Sequence, residues 1–181
     1  MTVRFDIAVL GRAREAAPVA AGAGAVLAGQ TEGRAALVVA IGGRDGDVVV
    51  GRPSRAAARL CDRLTARDLA ARAAGRVVWC AADDAADVAR AAAVGAPTVL
   101  AICRPREAWQ DGLLDEAGLV LVVGETADPL TELVLADLDG RGLAAAVVPA
   151  PDGLGSLLAR LGVGTTAVRR ALGGLLAGAS E

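Results

Sequence analysis

The chain has 181 residues, 54% of them hydrophobic, with a formal net charge of −2 and no His. It also contains no Lys, Tyr or Asn, so all 19 basic residues are Arg. These absences exclude the usual general base and commonest metal ligand, Schiff-base chemistry and a phosphate-loop lysine, and the near-neutral charge gives no global field towards nucleic acid or a membrane surface.

The length predicts a single α/β domain over 1–181, with 1–34 as an N-terminal extension of undetermined place and 152–181 as closing helices. Val3 to Leu10 reads as a strand that ends at Gly11. Arg12 to Ala17 reads as a short helical turn stopped by Pro18, and Ala20 to Gln30 as a loose, glycine-interrupted helix or a connector. The uncharged stretch from Ala16 to Thr31 is 16 residues long, short of the roughly 20 a membrane-spanning helix needs. With Asp6 and Glu15 beside it, it does not read as a signal peptide either. The expected location is the cytoplasm.

Ala35 to Ile41 is a continuous apolar run, the mark of a strand buried on both faces. A turn follows at Gly42-Gly43-Arg44-Asp45-Gly46-Asp47, then Val48 to Val50, which either pairs back as a hairpin or opens the next unit. The longest predicted helix runs from Ser54, its expected N-cap, to Ala74, with Gly75 after it. The rhythm is then regular. Strands are expected at Val77 to Ala81, Thr98 to Cys103, Leu119 to Val123 and Ala144 to Val148. Helices are expected from Asp83 to Ala93, from Pro105 to Ala117 and from Asp128-Pro129 to Leu138, then at Gly153 to Leu161 and Thr165 to Ala177. Buried strands alternating with helices predict a doubly wound, mostly parallel sheet with helices on both faces, a three-layer sandwich of the P-loop-like or Rossmann-like kind. Cys61, Cys80 and Cys103 fit no zinc spacing and read as reduced, buried thiols.

Ligands of such sheets bind at the carboxyl ends of the strands. The loops expected there carry Gly51, Arg52, Ser54 and Arg55, then Asp83 and Asp84, Arg104 and Arg106, Glu125, and Pro149 and Pro151. A helix N-terminus flanked by Arg suits a phosphate or carboxylate, and Asp83 with Asp84 suits Mg²⁺ held through water, so a nucleotide with Mg²⁺ is one reading. The other is that Ser54 and Asp83 are ordinary N-caps and the loop arginines are solvated. Arg55, Arg59, Arg63 and Arg67 recur on one helical face, but Asp62 and Asp68 lie beside them and aromatic residues for base stacking are scarce, so nucleic acid is not an expected partner. Val168, Ala171, Leu172, Leu175 and Leu176 form an apolar stripe that docks on the chain's own sheet or on a second copy. No nucleophile, base and stabiliser come together in the sequence.

The run Thr98 to Cys103, then Leu113 to Val123, then Asp128-Pro129 with its helix and Ala144 to Pro149, resembles the MinD/ParA-like P-loop ATPases. Upstream, Ala57 to Ala74 followed by Gly75 to Asp83 is similar to that family's first helix and the strand after it. The family's phosphate loop carries two lysines and a Ser/Thr. Here the candidate positions read Gly42 to Asp47 or Gly51 to Ser54 without lysine, and Gly118 stands where the family has Asp. The resemblance therefore implies an ATPase-dead member, like TadZ-like proteins of pilus and secretion loci, acting without a catalytic cofactor as a localisation or assembly partner. The expected function is a non-catalytic scaffold working through protein contacts, as a homodimer or beside a secretion or partitioning ATPase. The alternatives are a nucleotide- or anion-binding regulator using the Gly51–Arg55 loop with Asp83, and a small-molecule enzyme.

Overall fold

The computed structural model describes residues 5–30, 36–41, 77–82, 84–93, 95–103, 108–150, 152, 168, 170 and 172. The expected strand at 48–50, the helix at 54–74, the loop residues Gly51, Arg52, Ser54, Arg55, Asp83, Arg104, Arg106 and Pro151, and most of the two closing helices lie outside them. Of the last predicted helix, Val168, Arg170 and Leu172 are helical.

Among the described residues six strands form one sheet in the order β3-β2-β4-β1-β5-β6. They are β1 (Ile7–Gly11), β2 (Ala36–Ile41), β3 (Val77–Ala82), β4 (Thr98–Cys103), β5 (Val120–Val123) and β6 (Ala145–Val148). Every pairing is parallel. The strands are short apolar runs, and β1, β2 and β5 are buried at every position, as a sheet covered on both faces requires. The expected doubly wound α/β architecture is thus the observed one.

The order of the strands explains the layers. From β1 the chain steps two places across to β2 and on to β3, then turns back over β2 to β4, and onward to β5 and β6. Crossovers are right-handed, so reversing the direction of travel moves the connections to the other face. Helix α1 (Ala13–Gln30) therefore covers one face, and α2 (Ala85–Ala92), α3 (Ala108–Leu114) and α4 (Pro129–Gly140) cover the opposite one. The two cores match. Ala16, Val19, Ala20 and Ala23 of α1 pack with Val9, Val38 and Leu121. Val88, Leu114 and Leu138 from the other three helices pack with Leu10, Leu37 and Leu100.

Residues 7–30, which the sequence leaves unplaced, thus form the middle of the sheet and its covering helix. The sequence also predicts a break at Pro18, yet α1 runs through it as one helix. Proline inside a helix removes one hydrogen bond and costs about 3 kcal/mol. Residues 16–24 are all buried, and packing of these small side chains outweighs that local cost. A second correction concerns α2: Asp84 is its N-cap, accepting the Asp87 N–H on Oδ1 at 2.8 Å, one residue later than expected. Helix α3 ends at Leu114, and Ala117 makes a parallel bridge to Phe5 instead of extending the helix.

Candidate functional site

The chain diverges most sharply around the end of β1. Its connection leaves towards α1 on one face, while those of its neighbours β4 and β5 leave towards the opposite face. This is the topological switch point, where parallel sheets open a crevice.

Among the described residues three connections line the crevice. After β1, Arg12 alone separates strand from helix. Its carbonyl accepts the Glu15 and Ala16 N–H groups at 2.9 and 2.8 Å, closing the first turn of α1. Gly11 is required just before it, because a Cβ there would sit 2.9 Å from Cβ of Val123. After β5, Gly124 donates to the Val148 carbonyl at 3.0 Å and the chain turns through Glu125, whose carbonyl accepts the Asp128 N–H at 3.1 Å. Asp128 caps α4: Oδ1 accepts the Leu130 N–H at 3.3 Å and Oδ2 the Thr131 hydroxyl at 3.2 Å. Thr131 in turn lies over Gly124, where a Cβ would meet its Oγ1 at 2.6 Å. After β6, Pro149 and Ala150 form the far lip.

The result is an open cleft of about 950 Å³. Arg12, Glu15, Glu125 and Asp128 supply its charge, and Val123, Leu130, Leu133 and Val134 its apolar wall. Among the described residues, three carboxylates stand against one guanidinium. The N-termini of α1 and α4 add partial positive charge, which leaves the described lining residues modestly acidic in balance. A phosphate entering here would meet Glu15, Glu125 and Asp128.

Of the edge residues expected from sequence, Asp84, Glu125 and Pro149 are described; Glu125 and Pro149 line the cleft, and the sheet holds Asp84 apart from them. Asp84 follows edge strand β3 and Glu125 follows β5, four strand places away, about 19 Å at roughly 4.8 Å per strand. Asp84 is exposed and engaged in capping α2. Glu125 lines the cleft. Gly118, where the resemblance places an Asp, lies at the opposite edge, donating its N–H to the Phe5 carbonyl at 2.9 Å. Arg12, Glu15, Leu130 and Leu133 were not singled out by sequence reasoning. Leu133 carried a readable signal, since it falls on the helix side away from Thr131, Leu135 and Leu138, whereas Leu130 lies one turn before Val134 on the flank.

Among the described residues no three His, Cys, Asp or Glu side chains group closely enough to hold a metal ion, and no helix is long and apolar enough to cross a membrane. No protein-family model, curated protein or solved structure matches the chain.

Proposed function

We propose that this chain is a non-catalytic, P-loop-like scaffold or localisation protein that works through protein contacts at the carboxyl edge of its sheet. The observation that carries this reading is the pair Leu130 and Leu133, 61% and 68% exposed beside the switch-point cleft. Large apolar side chains held in water at the usual ligand edge suit a partner surface.

The connection after β1 carries no phosphate loop of its own, while the candidate loop positions Gly42 to Asp47 and Gly51 to Ser54 lie outside the described residues. A phosphate loop places about eight residues between strand and helix, so that several backbone N–H groups converge on the anion and a lysine reaches it. Here one residue, Arg12, makes the connection, its carbonyl is bound into the helix, and the chain has no lysine. The resemblance to MinD/ParA-like and TadZ-like proteins makes a pilus, secretion or partitioning assembly the proposed setting, with a second copy or the assembly's ATPase as partner.

A thermal-shift panel with ATP, ADP, GTP, NAD and phosphate, each with and without Mg²⁺, tests the reading. The expected result is no shift. A ligand at 100 times its dissociation constant adds about 2.7 kcal/mol, or roughly 5–11 °C for a chain of this size. A nucleotide shift of that order, lost in Arg12→Ala or in Arg52→Ala/Arg55→Ala, overturns the scaffold reading in favour of a nucleotide-binding regulator.

A further inference from the structure

We propose that the switch-point cleft docks a single cationic amphipathic helix from a partner protein. This rests on the protein-contact reading and names the chemistry of the partner.

Helix α4 is apolar on its core side and along the flank next to it. Thr131, Val134, Leu135 and Leu138 face the core. Leu130 and Leu133 lie one turn apart on the adjoining solvent-facing flank, with half-buried Val134 beside them, a spacing that grips a helix laid alongside. The floor beside them is formed by the ends of β1, β5 and β6. Three adjacent strand ends span about 10 Å, the width of one helix.

Charge selects the kind of helix. Among the described residues the Glu15 and Glu125 carboxylates have no hydrogen-bond or ion-pair partner, and Asp128 adds a third negative charge at the same cleft. Asp137 continues the acidic border one turn beyond Leu133, beside Arg141. A helix with leucine-type side chains three or four residues apart, flanked by Arg or Lys, sets its apolar stripe on Leu130 and Leu133 and its cations towards Glu15 and Glu125. An acidic helix would place like charges together there, and electrostatic mismatch of that kind is what excludes wrong partners.

Fluorescence anisotropy on the full chain tests this with three labelled helical peptides of one length: Leu/Arg, Leu/Glu and Ala/Arg. The Leu/Arg peptide is expected to bind at least tenfold more tightly than either control, and the binding to weaken with added salt. Leu133→Asp is expected to lower its affinity at least tenfold, as loss of an interface anchor does. Glu15→Arg/Glu125→Arg is expected to shift preference towards the Leu/Glu peptide, a reversal that a purely structural role for these residues cannot produce. Equal binding of the Leu/Arg and Leu/Glu peptides, no binding of the Leu/Arg peptide, or affinity unmoved by Leu133→Asp would overturn the proposal. So would a dimer of the chain alone, by sedimentation equilibrium, that Leu133→Asp splits, since a second copy would then be the occupant. Failure here with a flat nucleotide panel removes only this partner, whereas a nucleotide shift removes the reading beneath it.

Discussion

The two ends of the sheet are built differently. At the amino end, neighbouring elements are tied to one another. The Phe5 N–H donates to the Glu116 carbonyl at 3.0 Å and the Gly118 N–H to the Phe5 carbonyl at 2.9 Å. Asp6 binds Thr98 twice, through its own N–H to the Thr98 carbonyl at 3.1 Å and through Oδ2, which accepts the Thr98 N–H at 2.7 Å. Arg141, leaving α4, donates to the Asp111 carbonyl at 2.6 Å and from Nε to Asp115 at 3.0 Å. At the carboxyl end the described polar groups mostly cap their own helices, and Arg12, Glu125, Leu130 and Leu133 line the cleft. Among the described residues, hydrogen bonds between elements hold the amino end in register, while side chains at the carboxyl end line an open cleft.

That contrast is open to a graded mutational test by denaturant unfolding. Phe5→Ala removes a side chain only 2% exposed at the amino end and is expected to cost about 3–5 kcal/mol. Asp6→Ala leaves the N–H of Thr98 without its acceptor, in a residue 2% exposed, and is expected to cost about 1–3 kcal/mol. Arg141→Ala loses one carbonyl contact and partly exposed ion pairs with Asp115 and Asp137, for an expected loss of about 1 kcal/mol. Arg12→Ala, Glu125→Gln and Leu133→Ser at the carboxyl end are each expected to stay within about 0.5 kcal/mol of the parent. If Glu125→Gln destabilises as much as Asp6→Ala, the two ends are alike and the cleft is part of the framework.

The sequence made the repeating units legible and left their arrangement hidden. Thr98–Cys103 and the Asp128-Pro129 helix start can be read from local signals, an unbroken apolar run and a cap followed by proline, and both stand in the structure. Helix α1 could not be read that way. Its Ala- and Gly-rich stretch has no clear polar face, and Pro18 argues locally against continuity, so its conformation is set by burial against the sheet. The choice between Asp83 and Asp84 as cap was equally beyond propensity, because both are good capping residues. The site depended on strand order, which local patterns do not encode. Once β1 is placed between β4 and β5, Arg12 and Glu15 move to the switch point and Asp84 moves to the edge.

The central place of β1 also has a consequence in time. Its partners on either side, β4 and β5, lie roughly 90 and 110 residues further along the chain. During synthesis at about 5–20 residues per second, some 5–18 s pass before β4 exists to receive it. Through that interval the all-apolar run Ile7–Gly11 has neither edge satisfied by its final neighbours. The strand that anchors the finished sheet is the one the nascent chain must shelter longest, and closure over so wide a separation makes folding slow relative to a protein built from local contacts.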